Sequence, residues 1–237
     1  MFFYRESPSG PADPYFSSVS LLIKADGANN STVFTDSSNN NLNITTYDGA
    51  KISTADSKYG GSSAYFDGTS DYIAVDNSDG LNFGAEDFTL EMWMKPDFTG
   101  NQRRFFAKRP DELTYGLLSY ISRPNAETYN INIYIPNSAA SWIFYPSFSI
   151  PAGEWVHLAL VRNGNDWYYF VNGTKHIIAL NTNITIPSNN GRFFFGTSSE
   201  SNPGTVGYKG YMDDIRITKG VARYTENFTP PDSHPTT

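Results

Sequence analysis

Near the end of the chain, in "KGYMDDIRITKG" (residues 209–220), two adjacent acids interrupt a strand-like run. Side chains alternate along a strand, so if Ile215 and Ile217 face a core, Asp213 faces it too, and Asp214 and Arg216 face out. A buried carboxylate needs N–H donors or a cation. Calcium takes about six to eight oxygens from carboxylates and carbonyls. An early oxygen-rich turn, "KADGANNSTVFTDSSNNN", offers Asp26, Asn29, Asn30 and Asp36. The expectation is a structural calcium held by Asp26, Asn29 and Asp213, with Asp214 paired to Arg216 or Lys209 at the surface. The metal-free alternative has Asp213 accept hydrogen bonds from the Asp26 loop. A second acidic turn, "DGTSDY", carries Asp67 and Asp71, and turn chemistry alone accounts for both.

Other chemistry is sparse. His157, His176 and His234 are too scattered for a metal set, and His157 reads as a strand-face residue. There is no nucleophile elbow, phosphate loop or HExxH helix. Sugar recognition needs aromatic faces with amides and carboxylates beside them. Tyr115, Tyr120, Tyr129, Trp142, Tyr145 and Tyr208 read as aromatics in turns, and "NSAASWIFYPSFS" is the richest stretch. From these, Trp142, Tyr145, Tyr120 and Tyr208 are the expected ligand contacts, although Trp142 and Phe144 also fit core packing.

The elements that must position these groups are strands. "DFTLEMWMKP" puts Phe88, Leu90, Met92 and Met94 on one face and Thr89, Glu91, Trp93 and Lys95 on the other. "EWVHLALVRNGNDWYYFVNGTKHII" turns at Asn163-Gly164 and again at Asn172-Gly173, where Asn-Gly supplies the positive φ of tight hairpins. Only "KGVARYT" suits a short helix. Short strands at regular spacing predict an all-β fold, a two-sheet antiparallel β-sandwich or jelly roll. Residues 1–16 read as an extended N-terminal arm, either a disordered terminus or a segment that docks on a partner, because "ESPSGPADP" holds three prolines and a glycine. The domain proper spans 17–232, and 233–237 form a tail.

The bulk numbers exclude some classes. The chain has 237 residues, a net charge of −7, 16% aromatics and no cysteine. No basic cluster suits nucleic acid, no apolar run approaches the ~18 residues of a membrane span, and disulfides are ruled out. "MFFYRESPSG" does not read as a signal peptide. The expectation is a chain that folds in a reducing cytoplasm.

Five stretches in order, "LLIKADGANNSTVFTDSSNNN", "KYGGSSAYFDGTSDYIAV", "FTLEMWMKP", "EWVHLALVRNGNDWYYFVNG" and "GYMDDIRITKGVARYTENFTPP", resemble the concanavalin A-like lectin/glucanase superfamily in its laminin G-like jelly-roll branch. The resemblance implies two packed antiparallel sheets, often a structural calcium, carbohydrate or glycoprotein binding in many members, and catalysis in only some. In related jelly rolls the first and last strands are neighbours, which would bring the Asp26 turn to Asp213. Similar domains occur in phage virion and tail proteins. That association suggests a virion-surface adhesion module bound to a cell-surface glycan or glycoprotein, docked on other virion proteins through residues 1–16, with homo-oligomers possible. The alternative is a purely structural capsid or tail component without a sugar ligand. Glucanases of this kind carry acids in alternation on one strand. "EDFTLE", with Glu86, Asp87 and Glu91, fails that spacing, so the chain is expected not to be an enzyme.

Overall fold

A computed structural model describes residues 12–98, 102–109, 116–122, 128–137, 140–144, 149–200 and 207–233. Strands are numbered in chain order. The first sheet contains β1 (Val19–Ile23), β3 (Lys51–Ser53), β4 (Ser63–Asp67), β6 (Phe88–Pro96), β12 (Val156–Asn163), β13 (Asp166–Val171), β14 (Thr174–Ala179) and β16 (Lys209–Lys219). Its order is β14-β13-β12-β6-β16-β4-β3, with β1 also pairing β16. The second sheet contains β2 (Ile44–Tyr47), β5 (Tyr72–Val75), β7 (Arg103–Lys108), β8 (Leu117–Ser122), β9 (Thr128–Asn137), β10 (Ala140–Phe144), β11 (Ser149–Pro151) and β15 (Phe193–Phe195). It runs β10-β9-β8-β7-β15-β5-β2, with β11 on β9. All these pairings are antiparallel, so the molecule is the two-sheet sandwich that the strand spacing predicts.

Alternation explains the layers. Phe88, Leu90, Met92 and Met94 of β6 enter the inter-sheet core beside Leu158 and Leu160 of β12 and Trp167 and Tyr169 of β13. The second sheet answers with Ile73, Val75, Phe106, Ile121, Ile131, Ile133, Phe193 and Phe195. Each fully buried side chain of this size contributes about 1.5–3 kcal/mol.

The alternation breaks where the sequence places its paired acids. The register of β16 against β6 shifts between Asp213 and Arg216, and Asp214 adopts φ 47°. This bulge re-aims side chains. Met212, rather than Asp213, joins Ile215 and Ile217 in the core. Asp213 pairs with Trp93 and takes the outer face of the sheet.

Described residues near both ends of the chain pack on the folded body. Asp13, assigned to an extended arm by its prolines, is buried by ion pairs to Arg216 and Arg223. Residues 1–11 lie outside the described residues. The "KGVARYT" stretch forms no helix. Residues 221–231 run across the outer face of β12 and β13, where Ala222, Tyr224 and Phe228 pack on Ala159, Val161, Tyr168 and Phe170. Gly173 makes this docking possible. It has φ +77°, and a Cβ there would stand 1.8 Å from the Phe228 carbonyl oxygen.

Candidate functional site

Two of the three residues expected to bind calcium, Asn29 and Asp213, accept backbone hydrogen bonds. The N–H groups of Lys58 and Tyr59 donate to Asp213 Oδ2 at 2.9 and 3.1 Å, and the Asp214 N–H donates to Oδ1 at 3.0 Å. Asp213 is fully buried, and N–H donors supply the compensation that burial demands. These donors come from the loop between β3 and β4, not from the Asp26 loop. The two loops meet through Ser62, whose Oγ accepts from the Gly27 N–H and donates to the Ala25 carbonyl. Asn29 Oδ1 accepts from the Thr54 N–H, and Asp26 is exposed. Asp36 accepts from Leu22, Ser38 and Leu42 and so folds its own loop. Among the described residues no group of three or more acids or histidines suits a metal. Asp213 thus takes these donors from the β3–β4 loop, whereas Asn29 accepts from Thr54 and Asp26 lies exposed in the earlier loop. β1 does pair with β16, so the early loop lies beside the late strand as the family resemblance implies. Asp214 is buried rather than placed at the surface.

The expected ligand contacts scatter. Tyr208 is fully buried against Phe66, and its hydroxyl donates to the Tyr211 carbonyl. Tyr120 is a buried strand residue between Arg104 and Asn132, not a turn aromatic. Tyr129 is also buried, its hydroxyl bonded to Phe98. Alternation hides such cases, because a tyrosine in a short run reads equally as turn or core. Trp142 lies on β10, paired with Ile135. Tyr115 and Tyr145 lie outside the described residues.

The outer face of the first sheet divides into two halves. One half is closed by Asp13 and residues 221–231 over a buried charge network. Glu91 on β6 meets Arg216 on β16 at 2.9 Å, His157 on β12 at 3.2 Å and the Tyr224 hydroxyl at 2.8 Å. Asp13 meets Arg216 at 3.0 Å and Arg223 at 2.7 Å. Burial alone would push the Glu91 carboxyl up, but Arg216 and His157 outweigh it and hold the group far below the ordinary carboxylate range. Burial and the nearby Glu91 charge raise the Tyr224 hydroxyl. Tyr224 and Phe228 stack at 3.6 Å above this layer. Glu91 is thus buried and held by three partners.

The other half is open. Strand register aligns Lys51, Tyr65, Tyr211 and Lys95 in one row across β3, β4, β16 and β6. Their neighbours Ile52, Ala64, Phe66, Met212 and Met94 all face the core, so this row faces outward. The Tyr65 and Tyr211 rings stand 5.1 Å apart, and Trp155, just before β12, lies 6.4 Å from Tyr211. All five residues are half-buried. Asp56 fixes the end of the row, accepting from Lys95 Nζ at 2.6 Å and from Trp155 Nε1 at 2.8 Å. Burial raises the Asp56 carboxyl, but these two donors overcome it and hold it below its usual range. Gly210 lets β16 close on β6 here. At φ +133° its Cβ position would stand 2.3 Å from the Lys95 carbonyl. Aromatic faces flanked by an ammonium and a carboxylate suit a ligand with both C–H surfaces and hydroxyls. Sequence reading places Lys95 on the outward face of β6, but misses Tyr65, Tyr211 and Trp155. The clue was Tyr65 alternating with Ala64 and Phe66.

A family model described as concanavalin A-like lectin/glucanases superfamily matches residues 66–224, and the chain belongs to that family. No curated protein sequence matches the chain. Among solved structures it is similar to domain 4 of AbnA, a GH43 extracellular arabinanase from Geobacillus stearothermophilus, in complex with arabinotriose. That match has TM-score 0.59 and 21% identity, covering 86% of this chain and 93% of that one. It is also similar to the binding domain of Paraclostridial Mosquitocidal Protein 1 (TM-score 0.61, 18% identity, 91% and 50% covered). A third is the botulinum neurotoxin serotype G binding domain (TM-score 0.61, 13% identity, 88% and 48% covered). The chain spans about half the length of these two toxin domains. At such identities the likeness concerns the fold.

Proposed function

We propose that this member of the concanavalin A-like lectin/glucanases superfamily is a non-catalytic module that binds carbohydrate or a glycoconjugate through the row Tyr65–Tyr211–Trp155. The observation that carries the reading is that row, with three half-exposed rings beside the Lys95–Asp56 pair. The rings would stack on the C–H faces of sugar units, while Lys51, Lys95 and Asp56 would hydrogen-bond hydroxyls. The similar arabinanase domain holding arabinotriose and the similar toxin binding domains support a binding role. Glu91, the one acid that alternation sets on the outward face of β6, is taken up by Arg216, His157 and Tyr224, which argues against hydrolysis. On a virion surface, the setting that only the sequence resemblance suggests, many copies would supply avidity for a weak single site.

Glycan-array screening followed by calorimetry, with arabinotriose as the first titrant, tests this. Wild type retains a glycan, and Trp155→Ala and Tyr211→Ala each lose about ten-fold or more in affinity, as expected for aromatic anchors. An array without any retained glycan, or unchanged affinity in both variants, sinks the reading.

A further inference from the structure

Lys108 ends β7 inside the molecule, 1% exposed. Its Nζ donates to Asn77 Oδ1 at 2.6 Å, to the Asn189 carbonyl at 3.5 Å and to the Gly191 carbonyl. No carboxylate pairs with it among the described residues, and burial pushes the amine down to about 8. At neutral pH roughly a tenth of such a group is the unprotonated nucleophile. The acceptor side is also arranged. Asn82 Nδ2 donates to Asn77 Oδ1 at 3.2 Å and to the Ser78 carbonyl at 3.3 Å. Asn82 Oδ1 accepts from the Asn189 N–H, which fixes the orientation of its amide. A positioned N–H on a carbonyl oxygen stabilises the negative charge that develops when the carbon is attacked. Asn77 itself is exposed, so a small leaving group can reach solvent.

From this juxtaposition we infer that Lys108 and Asn77 form an intramolecular isopeptide bond. The neutral Lys108 Nζ attacks Asn77 Cγ, and the oxygen takes up the electron pair under the Asn82 N–H. Solvent water carries a proton from Nζ to Asn77 Nδ2. The Cγ–Nδ2 bond then breaks, the carbonyl re-forms and ammonia leaves. Amine plus primary amide gives secondary amide plus ammonia, with no oxidant or external co-reactant. The bond would tie the centre of the second sheet to the loop after β5, closing a segment with a sequence separation of 31 in a chain without cysteine. That is the constraint a disulfide gives elsewhere.

The experiment is intact-mass spectrometry of the purified full chain, before and after incubation at about pH 9, where more of the amine is neutral, followed by tryptic mapping. The expected result is a mass lower by one ammonia, a branched peptide joining the Lys108 and Asn77 fragments, and the full encoded mass in Lys108→Arg and in Asn77→Ala. The encoded mass persisting in wild type after that incubation overturns the inference. So does an ammonia loss that maps to an unbranched peptide with a succinimide at Asn77. The wild-type measurement decides the matter even if a variant folds poorly.

Discussion

The two halves of the first sheet's outer face share their strands and differ in almost everything else. β6 carries Glu91 in one half and Lys95 in the other, and β16 carries Arg216 and Tyr211. Glu91 and Arg216 are 2% and 5% exposed, whereas Lys95 and Tyr211 are half-buried. The difference comes from what lies above. Asp13 and residues 221–231 cover the first half, and they remain there because the charges beneath them are paired and the Tyr224–Phe228 stack seals the top. Buried charge on an outer face therefore marks a closed surface, and half-buried aromatics with polar partners mark an open one.

Breaking the closed half has the largest effect. Arg216→Ala leaves Glu91 and Asp13 short of a partner, and loss of about 3–5 kcal/mol is expected, as for any buried pair broken on one side. Urea titration measures it, and a loss below about 1 kcal/mol would mean that the network is more hydrated than its burial indicates. Gly173→Ala forces a Cβ against the Phe228 carbonyl at a positive φ, so the strap must shift. Faster hydrogen exchange across Ala159–Val161, compared with wild type, is the expected sign.

Acid acts on the same half. The folded Glu91 carboxyl sits below its unfolded value, so its stabilisation is present above the unfolded pKa near ~4.3 and is lost as pH falls through the folded one. Asp13 shifts in the same direction: burial raises it, but Arg223, the Tyr15 N–H and Arg216 outweigh that. The urea midpoint should therefore fall between pH 7 and pH 3. An unchanged midpoint would contradict the paired arrangement.

Asp213→Ala orphans three backbone N–H groups and should cost about 1–3 kcal/mol. Its melting temperature serves as the readout. The open half responds least in stability. Lys95→Ala removes one partly exposed ion pair, worth about 0.2–1 kcal/mol. A thermal shift as large as that of Arg216→Ala would erase the distinction between the halves.

The sequence determined the sandwich, the inward and outward faces of β6, the Asn-Gly hairpin and the absence of disulfides, because these depend on local alternation, turn chemistry and composition. It also determined that Asp213 would be buried and satisfied. Tertiary structure decided where Asp213 points and what satisfies it, since one extra residue at a bulge flips a strand's faces and no pattern announces that residue. The same holds for the site. Tyr65, Tyr211 and Trp155 are far apart along the chain, and only cross-strand register makes them neighbours. Likewise, Glu91 reads as an outward acid until Asp13 and residues 221–231 fold over it, because exposure is set by what covers a face and not by the strand that carries it.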